Sequence, residues 1–420
     1  MVKSARLILA IVLVGTLSTS LAVLPHAFNA FRLPKELALR AEAILLLAVY
    51  LGGLILGAQR PPRADRWLLL PASGLAWMAL VTLTSTNRLV SGWHLLAGGA
   101  TLVVYLATRA AGREESAFSL LVGVPLVAAV VNAIVDVVQE LDLWMPFGVE
   151  PGIRHHFQCT ALVGNPNEVG SYLAVAALGC LAGAVADRAR RLWFALGTLL
   201  LVGGVIASQT LTALAAFLVA AFALFALVSW RHALRAASVS LVLLLLLLVV
   251  VAPLRTRASN MLYWLGAGEY NALLTERLTP FAAASLMVRD HPLLGVGPGA
   301  FGWNYYTYKL RAEERFPSLR LAWSRGANFG EVHDDHLQLL AEGGIAAYLL
   351  FTATVVLLSS ISWRRAAVVS STPQRFAARL AFPLAVIWVV LSLTQFPLET
   401  TAVRMLLVHF AALCVAWRAA

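Results

Sequence analysis

Long apolar runs separated by short basic connections make up most of the 420-residue chain. A hydrocarbon core takes about 20 apolar residues per spanning helix. Runs of that kind lie near residues 6–24, 42–58, 67–85, 92–108, 117–138, 168–186, 192–208, 210–229, 234–253, 338–361, 380–396 and 400–417. The pattern predicts an all-α polytopic membrane protein of about twelve transmembrane helices. The first run is too long for the core of a signal peptide, although Ala27-Phe28-Asn29-Ala30 imitates a cleavage site, and it is read as a retained helix.

The connections are asymmetric. One side carries Lys3 and Arg6; Arg60, Arg63 and Arg66; Arg109 and Arg113; Arg188, Arg190 and Arg191; Arg231 and Arg235; Arg364, Arg365, Arg375 and Arg379; and Arg418. The short loops opposite hold mainly Arg32, Lys35, Arg40, Arg88 and Arg154. Positive residues stay inside, so both termini are expected in the cytoplasm, with the basic first loop the one exception. Two connections are too long to be turns, and both fall on the extracytoplasmic side: residues 140–167 and, between spans 9 and 10, residues 254–337. The expected organisation is therefore residues 1–253 with spans 1–9, a large periplasmic loop or cap at 254–337, and residues 338–420 with spans 10–12. The cap mixes charge with aromatic residues such as Tyr263, Trp264, Trp303, Tyr305, Tyr306, Trp323 and Phe329, which suits amphipathic helices lying at headgroup depth.

Composition strengthens the membrane reading: 60% of residues are hydrophobic and 13% charged. A net charge of +11 would suggest nucleic acid in a soluble protein, but here the arginines lie between apolar runs, and no nucleic-acid partner is expected. Cys159, Cys180 and Cys414 are far apart and predict neither a disulfide framework nor a metal cluster.

Against so apolar a background, the stretch Glu331-Val332-His333-Asp334-Asp335-His336-Leu337-Gln338-Leu339-Leu340-Ala341-Glu342 is the strongest candidate for chemistry. It places six ionisable groups in twelve positions where a polar loop meets an apolar helix. His333 and His336 stand about one helical turn apart, but no third or fourth metal ligand at useful spacing is evident, so neither metal nor other cofactor is expected. An imidazole oriented by Asp334 or Asp335 suits a general base instead. Glu342 falls inside the tenth run, where a carboxylate must face a cavity or a partner. Upstream, Gly164-Asn165-Pro166-Asn167-Glu168 reads as a helix N-cap whose free N–H groups are suited to an anion. The segment from Asp290 to Gly299, with Gly295, Gly297 and Gly299, lacks the strand and helix frame of a dinucleotide loop and predicts a tight turn that brings backbone close to something bulky. Arg277 and Arg289 offer cations for an anionic ligand, with lipid headgroups as the plain alternative.

These blocks occur in an order that resembles the O-antigen ligase and polymerase superfamily of bacterial envelope glycosyltransferases: Gly164-Asn165-Pro166-Asn167, Arg277 followed by Asp290-His291-Pro292-Leu293-Leu294-Gly295-Val296-Gly297-Pro298-Gly299, and His333 with Leu337-Gln338 and Glu342-Gly343-Gly344. The match runs from about residue 160 to 360; the first 150 residues are similar in hydropathy alone. The resemblance implies metal-independent transfer of a glycan from undecaprenyl diphosphate to an acceptor hydroxyl at the periplasmic face of the bacterial inner membrane. It implies that Arg277 holds the diphosphate and that His333 activates the acceptor hydroxyl or orients the reacting groups, with Arg289, Arg154, Asn165, Asn167, Asp334, Asp335, His336 and Glu342 as further substrate-binding candidates. The family's arginine at the start of the eighth span is missing, because the stretch reads Ser208-Gln209-Thr210-Leu211-Thr212, which leaves Arg289 or Arg154 to supply a second phosphate contact. The twelve spans and the single dominant late loop favour a ligase that uses lipid A-core as acceptor over a polymerase that extends the lipid-linked glycan. A protein O-oligosaccharyltransferase is a third reading. A twelve-span solute transporter would show repeats and polar residues near mid-bilayer.

Overall fold

The computed structural model describes residues 2–57, 59, 64–147, 155–250, 252–319, 329–363 and 371–417. Arg60, Arg63, Arg154, Trp323, Arg364, Arg365 and Arg418, which entered the sequence reading, lie outside these residues. Among the described residues the chain is all-helical, with 80% helix and no strand. In order the helices are α1 (Val2–Leu21), α2 (Arg32–Ile55), α3 (Arg66–Thr84), α4 (Arg88–Ala111), α5 (Glu115–Glu140), the short α6 (His155–Gln158), α7 (Pro166–Ala186), α8 (Arg191–Ala207), α9 (Leu211–Val228) and α10 (Trp230–Val250). There follow α11 (Ala252–Ala267), the short α12 (Tyr270–Leu273), α13 (Leu278–Asp290), α14 (Phe301–Arg315), α15 (Asp335–Trp363), α16 (Thr372–Ser392) and α17 (Thr401–Ala416).

Every predicted apolar run falls on a helix, but the span count differs. Among the described residues nine helices are long and apolar enough to cross a membrane: α1 from Ser4 onward, α2 to α5, α7, α9, α15 and α16. Helices α8 and α17 are apolar but shorter, and α10 covers the run predicted near 234–253. Helix α2 begins at Arg32, ten residues before its apolar run, because its polar first turns have partners. The ammonium of Lys35 donates to the carbonyls of Ala22 at 2.7 Å and Leu162 at 2.6 Å.

At the centre stands α7, hydrophobic on all sides and buried along nearly its whole length, as such a helix must be. It packs against α5, α8, α9, α16 and α17. Its small residues admit close neighbours: Gly170 abuts Thr210 and Gly179 abuts the ring of Phe410. An apolar groove lies elsewhere. Side chains of α3, α4, α15, α16 and α17, among them Trp67, Leu75, Met78, Tyr105, Leu357 and Trp388, line a cavity of about 300 Å³.

Residues 254–319 are also helical and build a second, smaller core with the start of α15, in which Met287, Val296, Phe301, Tyr305, Val332 and Ala341 are buried together. The glycine-rich turn locks this unit onto α15. Val296 and Gly297 donate to the carbonyls of Ala341 and Glu342, and Ile345 donates to that of Pro292. This needs α15 to kink at Gly344, whose φ of 68° and ψ of −173° only glycine adopts readily. A Cβ at Gly344 would stand 2.0 Å from the Leu293 carbonyl oxygen, and one at Gly295 would stand 2.4 Å from the carbonyl carbon of Glu342.

Candidate active site

Helix starts and helix-connecting loops meet around His333. The residue occupies the left-handed region at φ 63°, uncommon for a residue with a side chain, in the turn just before α15. The turn is shaped by its neighbours. Asp334 caps α15 by accepting from Leu337 N–H at 2.9 Å, and Val332 N–H donates to the side chain of Gln338 at 3.0 Å. Asp335 is buried and reaches across to the α16–α17 loop, accepting from the Leu398 N–H at 3.0 Å and the Ser392 hydroxyl at 3.2 Å. The His333 ring therefore enters an aromatic notch, edge-on to Phe396 with centroids 4.7 Å apart and to Phe329 at 5.7 Å, and its buried Nδ1 has no hydrogen-bond partner.

Two arginines from separate parts of the chain, Arg277 and Arg32, approach this ring, and a third, Arg257, stands near Arg277. Arg277 is delivered by a turn in which Thr275 and Glu276 both have positive φ, and its guanidinium donates to the Thr394 carbonyl at 2.6 Å. Arg257, on α11, donates to the Gln209 carbonyl at 3.0 Å. Among the described residues neither forms an ion pair, so both keep their full charge. Burial, and then the neighbouring Arg257, lower the pKa of Arg277. Arg32, at the start of α2, differs: its guanidinium donates to Glu168 through Nε at 3.2 Å and Nη2 at 2.6 Å, binds Glu331 through Nη1, and lies 5.2 Å from the Phe396 ring centre. Its charge is balanced by carboxylates, which fix its position.

The electrostatic result falls on His333. Burial, then Arg277 and Arg32, push the imidazole pKa down to about 3, so the ring is neutral at physiological pH. A neutral ring with a free nitrogen beside the uncompensated Arg277 guanidinium can accept a proton once an anion binds and offsets that cation. Burial raises the Asp334 carboxyl, against the hydrogen bonds of its capping role.

The other sequence candidates divide. Asn165 caps α7 by accepting from Glu168 N–H at 3.1 Å, and the carbonyl of Asn167 accepts from the Ser171 hydroxyl at 2.8 Å. Their motif thus contributes to the site through Glu168, which holds Arg32. His336 faces α16, 3.2 Å from the Val389 carbonyl and flanked by Tyr348 and Phe351. Glu342 accepts from the N–H groups of Gly299 at 2.7 Å and Phe301 at 3.1 Å, clamping the glycine turn and the start of α14. Arg289 is half-exposed and pairs with Asp290, which Arg311 also binds at 2.6 Å. Arg154 lies outside the described residues. Sequence reasoning did not single out Arg257, Glu168 or the 394–399 loop as parts of the site, and it knew Arg32 only as an awkward charge in the first loop. The one available signal was the Ser208–Thr212 turn without its arginine, which Arg257 reaches from the far side.

On the other face of the α16–α17 loop lies a cavity of about 210 Å³ lined by His94, Gly299, Asp335, Glu342, Glu399 and Arg404. It shares Leu75, Met78, Gly98 and Thr101 with the apolar groove, so a path of falling polarity leads from this cavity into the helix bundle.

Residues 196–352 match the family model described as O-antigen ligase. A search of the curated proteins finds no match. The matched segment runs from α8 to the middle of α15 and contains Arg257, Arg277 and His333, and over these residues the chain is similar to the O-antigen ligase family.

Proposed function

We propose that the protein transfers a glycan from a polyprenyl diphosphate to an acceptor hydroxyl at the His333 site, and that it does so as a ligase with lipid A-core as acceptor. The observation that carries this reading is the Arg277 guanidinium, without an acidic partner among the described residues, beside a buried neutral imidazole, with Arg257 near enough to act on Arg277. A diphosphate leaving group gathers negative charge as the glycosidic bond breaks, and fixed cations in a partly dry site stabilise that charge. In this reading Arg277 and Arg257 hold the diphosphate, Arg257 taking the place of the arginine missing after Ser208. Its two negative charges cancel the field that depresses His333. The imidazole then takes the proton of the acceptor hydroxyl as the new glycosidic bond forms and diphosphate leaves.

The distribution of arginines in the short loops supports cytoplasmic termini and a periplasmic site in the inner membrane. The apolar groove beside α15 suits a lipid tail. The single long segment at 254–337 favours a ligase. Purified protein incubated with undecaprenyl-diphosphate-linked glycan and lipid A-core tests this directly. Glycan transfer to lipid A-core by the wild type, lost in His333→Ala and Arg277→Ala, is the expected result. Elongation of the lipid-linked glycan with lipid A-core ignored would make the protein a polymerase, and unchanged transfer by both variants would remove His333 and Arg277 from the mechanism.

A further inference from the structure

At the end of α5, away from His333, three residues with metal-ligand side chains converge on one point. Donor atoms of Glu140, His155 and Cys159 all lie within 4.8 Å of one another. The Cys159 sulfur is 3.6 Å from Nε2 of His155, which is itself 2.8 Å from the Gln139 carbonyl oxygen. Asp136 precedes Glu140 by one helical turn and so shares its face. Its side chain is fully buried, both its carboxylate oxygens lack a hydrogen-bond partner among the described residues, and its charge acts on Cys159. A buried carboxylate normally has a partner, because leaving one without is costly.

From this geometry we propose that Asp136, Glu140, His155 and Cys159 bind a zinc-class divalent ion that staples the end of α5 to the segment leading into α7. Thiolate, imidazole and carboxylate are the donor types of four-coordinate zinc, and their number suits a closed structural site. Bond lengths of about 2.0–2.3 Å give donor separations of roughly 3.5 Å in a tetrahedral shell. The Cys159–His155 pair already meets that spacing, and the Glu140 donor lies within 4.8 Å of both. On binding, the ion takes the Nε2 position of His155, whose proton moves to Nδ1 by exchange with solvent so that the imidazole stays neutral, and the Cys159 proton leaves to solvent.

The staple has a definite reach. Gln209 donates to Glu140 at 3.3 Å, and the Gln209 carbonyl accepts from Arg257 at 3.0 Å, so the ion would fix one wall of the arginine cluster without touching substrate. On the segment's other side, Ala161 N–H donates to Gln139 at 2.7 Å and Leu162 N–H to Asn132 at 3.0 Å, an arrangement that presents the donors on one short stretch.

Cobalt(II) reports on the site independently of transfer activity. Full-length protein in detergent, stripped with a chelator and titrated with Co(II), is expected to take up one ion per chain, with a near-ultraviolet thiolate-to-cobalt band and the visible bands of four-coordinate cobalt. Zinc should abolish the spectrum. Cys159→Ser should lose the thiolate band, and Asp136→Asn should weaken binding roughly 100-fold. Wild-type protein that shows no thiolate band, or Cys159→Ser that retains one, overturns the proposal. Because the wild-type spectrum alone is decisive, poor folding of a variant leaves the test intact.

Discussion

Lowering the pH from 7.5 to 5.0 should cost the wild type stability that a His333→Gln variant does not lose. An unfolded chain takes up a proton on His333 near pH 6.5, whereas the folded site resists protonation down to about pH 3. The unfolded state therefore binds more protons throughout this window, so the stability due to neutral His333 is complete above pH 6.5 and falls as the pH drops towards 3. At pH 5.0 the loss is about 1.4 kcal/mol per pH unit over 1.5 units, or roughly 2 kcal/mol. Chemical denaturation in a fixed detergent at both pH values, on wild type and variant, isolates this contribution, because the other titrating groups are common to both proteins. Equal losses in the two proteins would refute the claim that burial and the arginines hold the ring neutral. A second arm follows the His333 ring by NMR as pyrophosphate is added. Bound beside Arg277, the anion should raise the ring's pKa, and an unmoved titration would separate His333 from the anion site.

Removing the carboxylate in Glu168→Ala strands Arg32 on one side. We expect a loss of roughly 2–3 kcal/mol by thermal unfolding, below the ~3–5 kcal/mol of a fully buried pair because Arg32 keeps 29% exposure. The double variant Arg32→Met/Glu168→Leu should regain most of that stability. Arg257→Ala should reduce glycan transfer by about 100-fold with little change in unfolding temperature, and Arg257→Lys should recover only part of it, since a lysine cannot present the planar fork. Gly344→Ala should lower stability by roughly 2 kcal/mol or more, because the residue sits in a glycine-only conformation against the Leu293 carbonyl; proteolysis between α13 and α14 would report the loosened turn.

The helices were legible because a run of apolar residues is a one-dimensional signal, and each predicted run lies on a helix. What hydropathy does not carry is the pairing between distant segments. Arg32 and Glu331 are 299 positions apart, and nothing in either neighbourhood names the other. The same holds for Arg257, which reaches Gln209 only because α10 and α11 return the chain to that turn. The ionisable cluster at 331–342 was visible as a compositional anomaly, but its division of labour was not. A left-handed backbone at His333 turns this ring to the arginines, while helical geometry three residues later turns His336 to α16. Glu342 could be read as buried, yet only the fold shows that its partners are backbone N–H groups of the glycine turn. The zinc-class cluster escaped notice for the opposite reason: its residues are common, and α5 brings Asp136 and Glu140 to a cysteine whose sequence context suggested nothing.

The loop between α16 and α17 touches both halves of this arrangement. On one face Thr394 receives Arg277 and Phe396 supports the His333 ring and the Arg32 guanidinium; on the other, Glu399, with Arg404 from α17, lines the cavity that leads into the apolar groove. Asp335 ties the loop to the turn carrying His333 through Leu398. Such a shared wall makes the two compartments thermodynamically reciprocal: a ligand that shifts the loop from one face changes affinity on the other by the same factor. Two bulky lipid-borne molecules meeting across it would then sense each other's arrival before their reacting atoms come together.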